Sequence, residues 1–565
     1  MMKSCIRGRF LLIGGAAACF AAPAFAQQFV EQTAARFPSP NPSEWSNQAT
    51  IGDIDGDGDL DIIFANGGNF SSPGTPLRQR LYVNDGAGVF TEESAARLGA
   101  VTLLARGVEM GDIDNDGDLD LIFAQDFSRQ PQLFVNDGTG FFANQTAVRL
   151  PAMLLSSSRA QFGDIDNDGD LDIYITSGTT SRFTCGQYRV WVNDGTGIYV
   201  DETDIRHPIG NVCNNMDCIF GDIDNDYDLD VRTASTGTNN SRMYRNNGHG
   251  IFGLVAGVPA DSTCYSYDFG DINGDGAIDL LGVNAGGGST ELLLENSGFG
   301  SFTNVSSQIS PNPNQDDNDS KFLDIDDDGD LDMLIGRLGS GGEKIYANDG
   351  SGNFTQLSGI ITIISDSTLD IMVADLDNDG DYDIVSAQGE SGNFQNRVYI
   401  NNGPADTHAP RIIQTEQLAD TEDTVGPYVV RANILDDMTS DRNFFDKGIT
   451  LHYTVDAGRE MTVPMRHSGG QVYRGVLPGL ADGGTVEYWV SAVDWNDNEA
   501  IGDPQSFTVS GASILGDLDG DGDVDPADLA ALLAAWGTCP GCPEDLDGDG
   551  TVGPSDLAIL LANWS

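Results

Sequence analysis

Short apolar runs recur along this chain at 60–65, 119–124, 171–176, 229–233, 278–283, 331–335 and 382–387, each bounded by clusters of Gly, Asn and Asp. Runs this short, without apolar positions at helical spacing, predict β-strands. Downstream of each lies a second run that ends in an Asn-x-Gly turn, at Asn84, Asn136, Asn193, Asn246, Asn296, Asn348 and Asn401. Such turns favour the left-handed conformations of tight hairpins. Most repeats then add a closing strand, beginning for example at Phe90, Phe142 and Tyr199. Four strands in about 50 residues is the size of one propeller blade.

The seventh repeat stops at Gly403 and Pro404 without its closing strand, whereas residues 29–36 near the start closely match residues 90–97. The first strand of the chain is therefore expected to complete the last blade, which removes exposed sheet edges. The fold class read from the pattern is mainly β, a seven-bladed β-propeller over 27–404. Beyond it, alternating strands at 449–455, 472–476 and 485–493 predict a β-sandwich over 408–511. The last segment, 515–565, repeats at a period of 28 and places Leu529, Leu532, Leu533 and Trp536, then Leu557, Leu560, Leu561 and Trp564, at helical spacing. Two short helices are expected there.

Composition sharpens this picture. The 565 residues carry 28 Lys+Arg against 87 Asp+Glu, a formal charge of −59, which argues against nucleic acid or an anionic membrane surface as partner. Charged residues are only 20% of the chain and hydrophobic ones 39%, so a core can form. Residues 1–26 read as a signal peptide: Lys3, Arg7 and Arg9 precede an apolar run, and Ala24 and Ala26 frame a cleavage site. No later apolar stretch approaches the ~20 residues that span a bilayer, so a secreted or cell-surface protein is expected. Cys185, Cys213, Cys218, Cys264, Cys539 and Cys542 would remain in an oxidising compartment, an even number that permits three disulfides. Cys213 could bridge Cys218 within one loop, a 185/213 plus 218/264 pairing is equally open, and Cys539 with Cys542 would form a local clip.

The acidity is concentrated in nine-residue aspartate ladders that precede the seven apolar runs. Carboxylates at positions one, three, five and nine repel one another unless a cation intervenes, and oxygen-only donors select a hard ion such as Ca²⁺. These ladders, followed by apolar strands, resemble the FG-GAP or VCBS repeats that build the integrin alpha-subunit propeller and many bacterial secreted proteins. The resemblance implies side-chain ligands at Asp53, Asp55, Asp57 and Asp61; Asp112, Asp114, Asp116 and Asp120; Asp164, Asp166, Asp168 and Asp172; Asp222, Asp224, Asp226 and Asp230; Asp271, Asn273, Asp275 and Asp279; Asp324, Asp326, Asp328 and Asp332; and Asp375, Asp377, Asp379 and Asp383. It adds the position-seven carbonyls of Asp59, Asp118, Asp170, Asp228, Ala277, Asp330 and Asp381. Tyr227 replaces the turn glycine of the fourth loop, which predicts strain there, and Asn273 removes one charge from the fifth.

Two C-terminal ladders are of another kind. Asp517, Asp519, Asp521, Asp523 and Asp528, and Asp545, Asp547, Asp549, Thr551 and Asp556, are twelve-residue EF-hand-type loops with an acid at position twelve and proline opening the helix behind. The duplicated loop and helix resembles a type I dockerin, which implies two further Ca²⁺ sites and a cohesin-like scaffold partner. At positions ten and eleven, where dockerins present polar pairs, this chain has Pro526 and Ala527, and Pro554 and Ser555. The sandwich is similar to fibronectin type III-like and immunoglobulin-like modules of secreted bacterial proteins.

Residues just before the ladders, Trp45, Arg106, Arg159, Tyr265 and Lys321, are candidates to line the central channel and grip a glycan or protein ligand. The chain has five scattered histidines and no HExxH, GxSxG or phosphate-binding glycine loop. The first reading is a calcium-binding recognition or adhesion protein with a dockerin-like tether. The alternative is an extracellular glycoside hydrolase or polysaccharide lyase carried on the propeller, with an acid pair among the many carboxylates.

Overall fold

The computed structural model describes residues 28–38, 40–68, 72–178, 185–210, 212–237, 240–259, 261, 263–286, 290–339, 341–389, 392–438, 448–510, 515–519 and 523–564. The signal peptide expected at 1–26 and the ladder residue Asp521 lie outside the described residues. Within them the chain is mainly β, and seven four-stranded antiparallel units follow one another from residue 46 to residue 400, five as separate sheets and the sixth and seventh joined into one nine-stranded sheet where Leu338 pairs with Ser367 and Gly339 with Asp366. The first sheet is Ser46–Gly52, Asp61–Asn66, Arg80–Val83 and Thr91–Glu92, in chain order. The next five repeat that order. The seventh has Asp366–Ala374, Asp383–Gln388 and Arg397–Ile400 from its own repeat, and its fourth strand is Val30–Glu31.

That fourth strand pairs antiparallel with Val30 opposite Ile400 and Glu31 opposite Tyr399, as the match between residues 29–36 and 90–97 predicts. The first strand of each sheet touches the first strands of both neighbours, and the seventh returns to the first. The sheets thus close into a ring, the arrangement of a β-propeller. Apolar clusters sit between adjacent sheets, as where Phe37, Phe64, Tyr82 and Phe90 pack against Val385 and Val398. One-turn helices after the closing strands, Thr33–Arg36, Ser94–Arg97, Thr146–Arg149 and Thr203–Arg206, are too short to leave a periodic trace in the sequence.

After the ring, two sheets share one core of Val430, Leu451, Tyr473, Tyr488, Val490 and Phe507. One contains Arg411–Thr415, Tyr428–Leu435, Val472–Leu477 and Arg466–Gly469; the other is built on Ile449–Val455 and Gly484–Val493. The first of them packs onto the face of the ring that carries the ladders: Asn433 Nδ2 donates to Asp222 Oδ2 at 2.8 Å, and Arg411 Nη2 to Asp271 Oδ2 at 2.7 Å. Helices Pro526–Ala534 and Pro554–Ala562 form the last unit over Val524, Leu532, Val552 and Leu560.

The cysteines correct the count of three bridges. Cys185 bonds Cys213 and Cys539 bonds Cys542, while Cys218 and Cys264 are free and buried. Sequence proximity misleads here, because Cys213 lies in a two-residue strand paired with Cys185 and Gly186, whereas Cys218 belongs to the adjoining inner strand Asn215–Gly221.

Candidate functional site

Each ladder folds on its own carboxylates. An oxygen of the first aspartate accepts the amide of position six, at 2.7 to 3.1 Å in all seven loops. Position six must turn left-handed, and six loops use glycine there, such as Gly58 at φ +95°. Tyr227 adopts the same region at φ +68°, a strain of about 1 to 2 kcal/mol for a bulky residue. The guanidinium of Arg431 lies 5.4 Å from its ring centroid and donates to Asp228 Oδ1 at 2.8 Å, bracing this loop from the C-terminal sheets.

The ninth aspartate is a buried strut. Its Oδ1 accepts the amide of the turn asparagine at 2.6 to 2.8 Å in every repeat. Its Oδ2 accepts the amide of ladder position two at 3.1 to 3.3 Å. Burial raises Asp61 and Asp120 to about 7, Asp279 and Asp332 to about 8 and Asp383 to about 9, and holds Asp172 and Asp230 well above the usual carboxylate range. A divalent ion in the loop would offset that cost of ionisation.

The third position carries the clearest mark of a cation site. Arg36, Arg97, Arg149, Arg206 and Arg245 reach Asp377, Asp55, Asp114, Asp166 and Asp224 at 2.7 to 2.9 Å through Oδ2. The other oxygen, Oδ1, is buried without a partner in all five and in Asp326. In the fifth loop Asn273 Oδ1 instead accepts the Asp275 amide, and Gln308 replaces the arginine, donating to Ser351 O at 3.4 Å. Oxygens of Asp53, Asp55 and Asp61 lie within 4.8 Å of one another, as do those of Asp112, Asp114 and Asp116. The residues present fit a hard cation in these loops.

At position seven the side chains are engaged elsewhere. Asp59, Asp170 and Asp228 accept Nδ2 of Asn378, Asn115 and Asn167 from the neighbouring ladder at 2.7 to 3.0 Å. In the C-terminal loops the position-twelve acids tie loop to helix: Asp528 Oδ1 accepts the Leu518 and Asp519 amides, and Asp556 the Asp547 and Gly553 amides. Asp545 Oδ1 is buried and unpartnered.

Sequence reasoning missed the second task of the turn asparagines. Nδ2 of Asn84, Asn136, Asn193, Asn246, Asn296 and Asn348 donates to the position-two carbonyl of the preceding ladder at 2.6 to 2.9 Å, stapling blade to blade. The remaining carbonyl, Ile325 O, receives Gln28 Nε2 from the N-terminal segment at 2.7 Å.

The channel candidates divide. Arg106, Arg159 and Tyr265 line one cavity of about 60 Å³, with Asn47, Asp126 and Asp217. Lys321 lies deeper, in a space of about 10 Å³ with Glu109, Arg159 and Asp370. Trp45 lines neither. Arg159 bonds Asp217 at 2.7 Å and Asp370 at 2.9 Å, while Asp370 Oδ2 accepts the Ala49 amide of the next blade. These charges knit the inner strands together, and both spaces fall far below the ~300 Å³ of an ordinary ligand pocket. A cavity of about 650 Å³ opens instead at the ladder face, between Ile51, Met110, Phe162 and Phe220 of the ring and Met465, Arg466, Arg474 and Trp495 of the C-terminal sheets. Its two walls lie more than 200 residues apart in sequence, which hid it from sequence reading.

Among the described residues no helix is long and apolar enough to cross a membrane. A family profile described as FG-GAP-like repeat matches residues 53–123, 112–175, 222–282, 271–335 and 324–386, together just over half of the chain. Comparison with curated proteins gave no match. Among solved structures, one reported for specific recognition of non-reducing terminal N-acetylglucosamine by an Agrocybe aegerita lectin is 20% identical, with a TM-score of 0.35, over 54% of this chain and 78% of that one.

Proposed function

The chain belongs to the FG-GAP-like repeat family, and from that premise we propose that it is an exported, calcium-stabilised recognition or adhesion protein. In this reading the ring (27–404) is the recognition head, residues 408–511 form a fibronectin III/Ig-like sandwich, and residues 515–565 form a dockerin-like tether. Seven ladders and two C-terminal loops take Ca²⁺, whose charge offsets the crowded carboxylates. The ion supplies charge balance, and the chain's own residues set the loops: the position-six turn brings the first and fifth aspartates together, and in five of the seven an arginine fixes the third.

The observation that carries the recognition role is the cavity of about 650 Å³ at the ladder face. Its size suits a sugar or peptide ligand, its ring wall sets Ile51, Met110, Phe162 and Phe220 beside the carboxylates of Asp53, Glu109, Asp112 and Asp164, and Arg466, Arg474 and Trp495 offer cations and an aromatic face. Leu533, Trp536, Leu561 and Trp564 are exposed in both C-terminal helical units, a duplicated apolar surface that supports assembly with a scaffold partner.

The test is an array of glycans and extracellular proteins, with and without chelator, read for the parent and for Trp495→Ala and Arg466→Glu. Both residues are exposed, at 38% and 55%, so the variants are expected to fold. Binding lost in the variants supports the cleft; binding equal to the parent's moves the ligand elsewhere. Release of reducing sugar from the same glycans would turn the reading toward a carbohydrate-active enzyme.

A further inference from the structure

Four aspartates that belong to none of the ladders converge where the chain leaves the ring. Asp406 follows the last repeat, Asp436 and Asp437 follow strand Tyr428–Leu435, and Asp494 follows strand Gly484–Val493. Main-chain bonds bring these three segments together. The Asp406 amide donates to Gly380 O at 2.8 Å, the Asp324 amide to Asp437 O at 2.9 Å, and Asn496 Nδ2 to Gly380 O at 2.9 Å.

All four side chains are buried, and among the described residues neither Lys nor Arg pairs with any of them. Among the described residues His408 is the one basic neighbour, its Nδ1 3.8 Å from Asp437 Oδ2, and the same nitrogen faces Asp327 at 3.0 Å. Asp436 is 9% exposed, and both of its carboxylate oxygens are buried without a hydrogen-bond partner. Its strongest charged neighbours are Asp406 and Asp494. Asp406 accepts the His408 amide through Oδ1, and its Oδ2 has only Tyr382 OH and Asn496 Nδ2, both at 3.4 Å. Asp494 already accepts from Asn496 N, Asn498 N and Asn498 Nδ2. A space of about 10 Å³ bordered by Asp406, Asp437 and Tyr382, and by Asp324, Asp327 and Asp381 of the sixth and seventh ladders, has room for one small occupant.

Carboxylates in such a place can lose their charge to protons or keep it with a cation. A single proton satisfies at most one oxygen of Asp436, and both are buried without a hydrogen-bond partner. A cation satisfies both oxygens at once. The donors are all oxygen, which selects a hard ion.

We propose that Asp406, Asp436 and Asp437 hold a Ca²⁺ ion at the junction between the ring and the C-terminal sheets, with Asp494 supplying further negative charge. The ion would fasten the exit segment of the ring to two strands of the following sheets. It lies against the sixth and seventh ladders, whose Asp324 and Asp381 border the same space, but Asp436 belongs to neither ladder.

The test is the Ca²⁺ stoichiometry of the full chain by native mass spectrometry, for the parent, Asp436→Asn, the ladder variant Asp114→Asn and the double variant. The proposal expects Asp436→Asn to lose one equivalent and the double variant to lose one more than Asp114→Asn alone. A parent that binds elsewhere and an Asp436→Asn variant with unchanged stoichiometry overturn it. A parent that binds no Ca²⁺ sinks the ladder reading as well, and the ladder variant then shows no change. Should Asp436→Asn fail to fold, Asp406→Asn takes its place: it should lose the same single equivalent, and unchanged stoichiometry overturns the site.

Discussion

The guanidinium of Arg97 lies 2.9 Å from Oδ2 of Asp55, and the other oxygen of that carboxylate is buried with no partner. The arginine comes from the end of a one-turn helix and also donates to Thr139 O in the turn of the next blade. One residue thus orients a ladder carboxylate and fixes the adjacent blade. In the proposed calcium reading a cation completes the half-satisfied carboxylate, and metal occupancy and blade packing would then act on the same side chain.

Removing the metal should therefore loosen the ring. A site filled at a hundred times its dissociation constant contributes about 2.7 kcal/mol, and several sites act together. Scanning calorimetry with excess chelator should show a melting temperature lower by many degrees, restored by added Ca²⁺. An unchanged melt would contradict the calcium account.

Asn193→Ala tests the blade staple. The substitution removes donations from Nδ2 to Ile113 O at 2.8 Å and Leu171 O at 3.1 Å, both in buried surroundings. A loss of roughly 1 to 3 kcal/mol is expected, since Ile113 O is left unsatisfied while Leu171 O keeps the Tyr199 hydroxyl at 2.9 Å. Urea unfolding measures it, and a change below about 0.5 kcal/mol would reduce the residue to its turn.

Deleting residues 27–37 should open the ring. Val30–Glu31 would vanish from the seventh sheet, together with Phe37, which packs on Tyr82 and Phe90, and Gln28, which holds Ile325 O. Limited proteolysis should then cut within the seventh repeat, and the melt should fall. A truncated protein as resistant as its parent would refute closure by the first strand.

His207 gives a pH dependence. Burial lowers it to about 4, and its Nε2 lies 2.9 Å from Tyr174 OH while Nδ1 donates to Pro208 O. The unfolded chain takes up the proton near pH 6.5 and the folded one resists it, so this stability is present above pH 6.5 and is lost as pH falls toward 4. At pH 5 the loss is on the order of 2 kcal/mol. Between pH 7 and pH 5, His207→Gln should lose less stability than the parent by that amount; equal losses would show that the imidazole is not the group responsible.

The ladders were legible because their ligands are local: nine residues hold the turn glycine, the strut and the candidate donors together. Ring closure was legible because residues 29–36 repeat 90–97. What escaped depends on partners far apart in sequence. Arg36, Arg97, Arg149 and Arg206 recur at a fixed place in the repeat, a visible period, yet nothing local says that each reaches a third-position aspartate. The turn asparagines were explained by their turns, which concealed the carbonyls they reach on the preceding ladder. Arg159 looked free to meet a ligand because Asp217 and Asp370 come from other blades. Asp406, Asp436, Asp437 and Asp494 carry no motif at all.

Closure by the first strand also sets an order of events. The Val398 amide donates to Thr33 Oγ1, a residue 365 positions earlier in the chain. Val30–Glu31 therefore has no partner until nearly the whole ring has been synthesised and delivered, and six repeats must wait with one edge uncovered. Folding of the last blade is a late, non-local step, slow in proportion to the loop it must close. A chain stalled or clipped before residue 400 would hold an open sheet edge at each end, a form prone to pair with its own copies.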